Sequence, residues 1–355
     1  MNDKLQSLRV RIDELDEKIQ TLLNERARYA LEIARLKNGA QPYRPEREAE
    51  VLRQALKRNQ GPLTGEHITR IFREIMSACR ALEQVTRVAY LGPEGTFTHN
   101  AALKHFGRAI ETRALSSIEE VFREVEADAA AYGVAPVENS TEGVVDHTLD
   151  MFMHSSLQIC GEVELRIHQQ LMGKVAALGE VRRIYAHPQS LGQCHQWLEA
   201  HLPGIERLSV SSNAEGARRA AAEPGAAAIA GEQAAQIYQL SIIAANIEDN
   251  PDNTTRFLVV GKQAVPPSGQ DKTSLLLATS NRPGALHRLL QPFARHAISL
   301  TRIESRPSRQ GLWNYVFFVD IEGHAQDAKV TQALSELEAD GVLVKILGAY
   351  PRAVL

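Results

Sequence analysis

Aromatic side chains make up only 5% of this chain, and cysteine occurs three times in 355 residues. The thiols (Cys79, Cys160, Cys194) are scattered and odd in number. They offer neither the spacing of a metal site nor a disulfide framework, which points to a reducing cytoplasm and no metal. No run of 18 apolar residues occurs, so no membrane span is expected, and the charged, amphipathic start does not read as a secretory leader. Neither sign of charge is in large excess. The net charge is −3; residues 1–85 hold 16 Lys and Arg against 13 Asp and Glu, and the remainder 24 against 30. Bases interleaved with acids argue against a nucleic-acid surface but leave room for a local pocket for a small anion. No period of 20–50 residues recurs, which sets repeat folds aside.

What is present begins with a stripe. Leu5, Leu8, Ile12, Leu15, Ile19, Leu22, Arg26, Tyr29, Ile33 and Leu36 recur at steps of three and four, one face of a single helix. At 1.5 Å per residue, about 34 residues span roughly 50 Å, too long for a small domain to cover, so packing along a second chain is predicted. Arg26 interrupts the stripe. A guanidinium in a seam needs an anion, and with no acid in the stripe a ligand is the candidate. Asn38-Gly39 reads as the helix stop. A helix over Glu46–Lys57 follows, then one opened by Thr64 with Ile68, Ile71, Phe72, Ile75, Met76, Cys79 and Leu82 on one face.

From Val88 to about Val260 short apolar runs alternate with helical stretches. This is an α/β pattern sized for two lobes around a cleft, with ligands expected beyond the carboxyl ends of the strands. Pro266-Pro267-Ser268-Gly269 reads as a linker. Beyond it, strands at Ser274–Ala278, Ile298–Glu304, Trp313–Ile321 and Val342–Leu347, with helices after the first and third, give the ferredoxin-like order βαββαβ. The expected domains are 1–85, 87–263 and 272–355.

In the first segment, Leu8-Arg9, Leu15-Asp16-Glu17-Lys18, Glu25-Arg26, Lys37 and Tyr43-Arg44-Pro45-Glu46-Arg47-Glu48 resemble the all-helical chorismate mutases, in which two intertwined chains build each site. The resemblance implies that Arg9 from the partner chain and Arg26 bind the substrate carboxylates. It likewise implies that Lys37 faces the ether oxygen and that Arg47 and Glu48 hold the ring-hydroxyl end. Cys79 and Glu83 stand where many relatives carry Ser and Gln, and Arg44 stands where they carry an acid. A carboxylate donates no hydrogen bond, so Glu83 serves an ether oxygen only when protonated. The implied reaction is a pericyclic rearrangement, which needs conformer selection and stabilisation of charge growing on the ether oxygen.

In the second segment, Gly92–His99, Pro136–Gly143, His187–Cys194 and Asn253–Phe257 together resemble prephenate dehydratase. That implies two lobes similar to periplasmic binding proteins, no cofactor, and loss of carbon dioxide and hydroxide to give phenylpyruvate. Thr255 is implied as the residue most tied to catalysis, acting as a positioned hydrogen-bond donor, with Arg256 and Phe257 completing its motif. Glu138 and His187 are the titratable alternatives, and Thr96, Asn139, Ser140, Thr141 and Gln193 the further contacts. Ala186 replaces a common Ser.

In the third segment, Gly284-Ala285-Leu286-His287 and Glu304-Ser305-Arg306-Pro307 resemble the two phenylalanine-binding motifs of regulatory ACT domains, which implies feedback inhibition by phenylalanine held between paired domains. The whole chain is similar to bifunctional chorismate mutase–prephenate dehydratases. The implied partners are chorismate, prephenate, phenylalanine and further copies of the chain, as a dimer or higher oligomer, with no nucleic acid or membrane. Two alternatives are a dehydratase whose helical segment only dimerises, and a phenylalanine-responsive binding protein that keeps the cleft without the chemistry.

Overall fold

The computed structural model describes residues 2–37, 41–280, 282–307 and 315–354. The stripe lies on α1 (Asn2–Leu36), and α2 (Pro45–Arg58) and α3 (Gly65–Glu83) complete the helical segment. Asn38-Gly39 lies outside the described residues. α2 opens on Pro45, whose fixed φ suits a first turn. The Thr64 side chain caps α3 by accepting the His67 backbone N–H. Within this chain α1 half-buries only Arg26, Ala27, Ala30, Leu31 and Ala34 among its described side chains. The apolar stripe stays open, with Leu22 63% and Leu36 82% exposed. α3 is also turned differently from the expected face: it buries Thr69, Met76, Ser77, Cys79 and Arg80 and leaves Ile71 and Leu82 exposed.

The next segment runs β1 (Thr86–Leu91), α4 (Phe97–Phe106), β2 (Ile110–Leu115), α5 (Ile118–Glu126), β3 (Tyr132–Asn139), β4 (Gly143–Val144), α6 (Asp146–His154) and β5 (Gln158–Arg166). The chain then crosses to β6 (Gln170–Gly173), β7 (Arg183–Ala186), α7 (Pro188–Gln193), α8 (His195–His201), β8 (Glu206–Ser209), α9 (Asn213–Ala222), β9 (Ala226–Ala230), α10 (Glu232–Tyr238) and β10 (Ser241–Ala244). It returns as β11 (Thr254–Gly261). Lobe one is a sheet in the order β2-β1-β3-β11-β5 with β4 beside β3, and lobe two is a sheet in the order β10-β6-β9-β7-β8. The returning strand inserts between β3 and β5, antiparallel to both. The Thr254–Phe257 block is therefore part of a strand.

The last segment is β12 (Asp271–Thr279), α11 (Ala285–Arg295), β13 (Leu300–Pro307), β14 (Tyr315–Glu322), α12 (Ala328–Ala339) and β15 (Leu343–Pro351), with sheet order β13-β14-β12-β15. Trp313, expected to open the third strand, lies outside the described residues. One face of this sheet packs Leu275, Leu277, Val319 and Ile321 against α11 and α12. The other face gives Leu276, Val316, Phe318, Leu347 and Tyr350 to the core of lobe one, beside Phe122, Phe152, Ile159 and Leu258. The C-terminal sheet and the first lobe thus share a core. No described helix is long and apolar enough to cross a membrane.

β15 crosses β5 so closely that a Cβ on Gly348 would lie 2.2 Å from the Ile159 carbonyl oxygen. Gly348→Ala is expected to cost about 3 kcal/mol by overpacking against backbone. A lowered melting temperature, with earlier proteolytic release of residues beyond 270, is the check.

Candidate active sites

A cleft of about 380 Å³ opens between the lobes. Lobe one contributes Thr96, Phe97, Ser116, Asn139, Thr255 and Phe257; lobe two contributes His187, Gln189, Ser190, Gln193, Ser212 and Asn213. Gln169, at the crossing, lines it as well. Thr255 pairs directly with Asn139 across the β3–β11 ladder. The Asn139 side-chain oxygen accepts the backbone N–H groups of Thr141 and Glu142, each at 3.0 Å. Its NH2 must then face the other way, donating to Thr255 Oγ1 at 2.7 Å and to Asn253 Oδ1 at 2.9 Å. A threonine oxygen that already accepts is left with its O–H to give, and Thr255 lines the cleft. The network thereby orients a hydroxyl donor toward the cleft.

His187 caps α7: its Nδ1 accepts the Gln189 N–H at 3.3 Å, so in the neutral ring Nε2 carries the proton. Ser190 Oγ accepts from Gln169 at 3.0 Å and from Asn213 at 2.7 Å, leaving its own proton to donate. Thr96 caps α4, accepting the His99 N–H and donating to the Leu91 carbonyl. Among the described lining residues none is Asp, Glu, Lys or Arg, and His187 is the one histidine. The ends of α4 and α9 that open on the cleft are N-termini, which favour anions through free N–H groups and the helix dipole. The cleft is suited to an anion held by neutral donors.

Several residues expected at the substrate lie elsewhere. Side chains alternate along a strand, so Arg256 and Glu138, neighbours of Thr255 and Asn139 and paired with each other in register, point to the opposite face. Arg256 binds Glu162 at 2.9 Å, Asp320 at 2.6 Å and the Tyr350 hydroxyl at 3.0 Å; Glu138 binds Arg302 at 3.1 Å. Burial works against the Arg256 charge, but Tyr350, Asp320 and Glu162 more than offset it and hold the guanidinium protonated. Burial likewise opposes the Asp320 charge, yet Arg256 and the Ser274 hydroxyl keep its carboxyl below the usual aspartate range. Ser140 ties β3 to β11, accepting the Thr254 N–H, and Thr141 is used through its backbone. Conversely Gln169, Ser190, Ser212 and Asn213 line the cleft without having been singled out. Ser212 and Asn213 follow β8 and open α9, a strand-to-helix turn of the kind expected to face a ligand, whereas Gln169 carries no sequence signal.

In the helical segment Arg26 sits at the margin of the stripe, turned toward α3, where it donates to Cys79 Sγ at 3.0 Å. Glu48 reaches α3 too, paired with Arg80, which was not anticipated because it reads as one more surface charge. Burial raises the Glu48 carboxyl above its ordinary range despite Arg80. Arg80 also donates to the Phe106 carbonyl at 2.6 Å and lies over the Tyr43 ring, fastening the helices to α4. Arg47 points outward and pairs with Glu50. Lys37 and Glu83 are half-buried, and Arg9 is exposed on the N-terminal half of α1.

In the last segment Gly284 (φ +77°), a backbone conformation that glycine adopts without strain, precedes α11, with Leu286 and His287 exposed and Ala285 half-buried. Glu304 and Arg306 lie on the inward line of β13, Ser305 and Pro307 on the outward one. Arg306 pairs with Asp146 and Asp150 of α6. A larger cavity of about 480 Å³, where all three segments meet, is lined by Glu48, Arg73, Lys104, Glu162 and Arg352. Its cations are bonded to the chain itself: Arg73 to the Val354 carbonyl, Lys104 to the Glu164 carbonyl, Arg166, which also lines it, to the Pro251 carbonyl, and Arg352 to Glu322. It is therefore read as a gap between domains.

Comparison with known proteins places three family profiles along the chain: chorismate mutase type II over residues 8–84, prephenate dehydratase over 88–265 and the ACT domain over 273–339. A bifunctional chorismate mutase/prephenate dehydratase of Stutzerimonas stutzeri is 55% identical over 99% of both chains. Among solved structures, prephenate dehydratase from Arthrobacter aurescens in complex with L-Phe is 33% identical with a TM-score of 0.69, covering 76% of this chain and 93% of its own. That of Staphylococcus aureus is 29% identical with a TM-score of 0.67, covering 75% and 100%.

Two outcomes follow from the geometry. Asn139→Asp keeps acceptors for both backbone N–H groups but turns the other oxygen into an acceptor for the Thr255 proton. Turnover in the cleft is expected to fall about 100-fold, and KM to rise because the new carboxylate repels a bound anion. Because the Asp320 carboxyl is held low, its ion pair stabilises fully above the ordinary aspartate value of about 3.9 and fades as pH falls through the lowered one. Thermal melts of Asp320→Asn are therefore expected to lie well below wild type at pH 7 and to converge on it toward pH 3.

Proposed function

The chain belongs to the family of bifunctional chorismate mutase/prephenate dehydratases, and from that premise we propose how its residues divide the work. In the mutase step Arg9 and Arg26 lie 17 positions apart on one helix, about 25 Å, so one chain cannot close both on a small dicarboxylate. A second copy laid along the open stripe supplies Arg9 to the site formed by Arg26, Lys37, Cys79 and Glu48, with Arg47 and Glu83 at its rim. Planar guanidinium forks grip the carboxylates, and the compact conformer they select rearranges without a covalent intermediate.

In the dehydratase step the cleft holds prephenate. Its carboxylates take the helix N-termini and the free donors of Ser190 and Gln193, and the Thr255 hydroxyl donates to the leaving ring hydroxyl. As that C–O bond breaks, the bond to the ring carboxylate breaks too, releasing carbon dioxide, and its electron pair completes the aromatic ring of phenylpyruvate. The observation that carries this reading is the Asn139-oriented Thr255 hydroxyl in a cleft without fixed charge.

Phenylalanine acts as effector at Gly284–His287 and Glu304, between C-terminal domains of two copies, in a cytoplasmic enzyme. The Arthrobacter enzyme, bound to L-Phe, supports this. A dehydratase that uses its helices only to dimerise is the second reading; Arg26, Cys79 and Glu48 converging on α3 disfavour it.

Chorismate supplied to wild type, Arg26→Ala and Thr255→Ala, with prephenate and phenylpyruvate followed separately, tests the division. Arg26→Ala is expected to lose the first step by about 1,000-fold and keep the second; Thr255→Ala is expected to accumulate prephenate. A wild type that makes no prephenate leaves the dimerisation reading standing, and loss of both steps in either variant overturns two separate sites.

A further inference from the structure

We propose that Arg256 and Glu138 are positioning residues for Thr255 and Asn139, and that the C-terminal domain acts on the dehydratase reaction by holding them. The inference rests on the reading of the cleft given above. β3 and β11 present one pair of residues to each face: Asn139 and Thr255 to the cleft, Glu138 and Arg256 to the back, matched in register. The back-face pair ends on the C-terminal sheet. Arg256 meets Asp320 at 2.6 Å on β14 and the Tyr350 hydroxyl at 3.0 Å on β15, while Ser274 of β12 bonds both of those, at 2.5 and 2.8 Å. Glu138 meets Arg302 of β13 at 3.1 Å. All four strands of that sheet therefore reach the backs of the two catalytic residues.

β13 is the strand that also carries the effector motif. Arg302, Glu304 and Arg306 recur at steps of two on its inward line. Glu304, the expected contact for an amino group, thus stands between two arginines already bonded to the dehydratase domain, Arg302 to Glu138 and Arg306 to Asp146 and Asp150. A ligand that shifts β13 shifts Arg302 against Glu138. Glu138 is joined by one peptide bond to Asn139, which in turn aims the Thr255 proton. A displacement well under 1 Å matters there, because the donor must meet the developing charge at hydrogen-bond distance.

The test uses the full-length chain with Glu138→Gln, Arg302→Gln and the double variant. Dehydratase kcat and KM, inhibition by phenylalanine and phenylalanine binding by equilibrium dialysis are measured, with mutase rate as the control for folding. Each single variant is expected to lower kcat by at least about tenfold at unchanged KM, and to bind phenylalanine while losing inhibition by about tenfold. The double variant is expected to lose no more than either single, because the two residues act through one contact. Singles with wild-type kcat and full inhibition overturn the proposal, as does a folded double variant whose losses are the product of those of the two singles. A wild type that forms no phenylpyruvate instead overturns the reading of the cleft. A wild type indifferent to phenylalanine removes the effector role alone, and the kcat comparison still decides the positioning role.

Discussion

The buried guanidinium of Arg256 sets the terms for two domains. A charge taken out of water and left alone costs several kcal/mol, and breaking such a pair by removing one partner costs about 3–5 kcal/mol. Lobe one supplies only half of what Arg256 needs, through Glu162, which Lys272 of the C-terminal sheet also binds with both oxygens engaged. The other half is Asp320, from that sheet. A lobe without the C-terminal domain would hold an underpaired cation against an exposed apolar face of Phe152, Ile159 and Leu258. Docking is therefore a condition of the lobe's stability, and the same contact fixes the strand in which Thr255 immediately precedes Arg256.

Charge on the back of the sheet has a counterpart in its absence from the front. A cation aimed at the ring carboxylate would stabilise prephenate, in which that carboxylate is fully charged, more than the transition state, in which its charge is moving into the ring. Such a contact strengthens the ground state and slows the step. Backbone N–H groups at helix starts and neutral hydroxyl and amide donors bind anions less tightly and with less of that penalty. Under the proposed reading of the cleft, the outward placement of Arg256 and Glu138 keeps both fixed charges of β3 and β11 away from the reacting bonds while retaining their use as anchors.

The order of domains, the lobes, the βαββαβ segment and the positions of the strand ends were legible because they rest on periodicity, Gly and Pro punctuation and cap residues, all local. The four dehydratase blocks do line or border one cleft. What motif blocks do not carry is the face. Thr255, Arg256 and Phe257 are consecutive in a strand, so period two already separates Arg256 from its neighbours; which side is the cleft is not marked when both sides are covered. Polar residues on the back face looked like site residues because polar groups are costly in a core, and the partners they find in the C-terminal domain lie 64 or more positions away along the chain. Arg80 was hidden for the same reason: Glu48 and the end of α4 meet it only in three dimensions. Gln169 owes its place to the crossing between lobes.

The helical segment poses the complementary problem, apolar surface without a cover. α1 contributes a stripe some 50 Å long that its own chain leaves open, and α3 adds Ile71 and Leu82. Within the chain α3 is held by polar contacts instead: Arg80 between Glu48 and the Phe106 carbonyl, and Ser77 accepting the Ala109 N–H. Those contacts anchor the bundle to the last turn of α4, whose first turn, about 15 Å away, borders the cleft. The interior of the single chain thus serves attachment, and its hydrophobic face is left to association. Under the proposed arrangement a second copy covers that stripe and in the same act brings Arg9 beside Arg26, so the association that removes apolar surface from water also supplies the second cation for a dicarboxylate. Assembly and activity of the mutase site would then share one equilibrium, whereas the cleft, complete within one chain, depends on that equilibrium only through the C-terminal domain that grips Arg256.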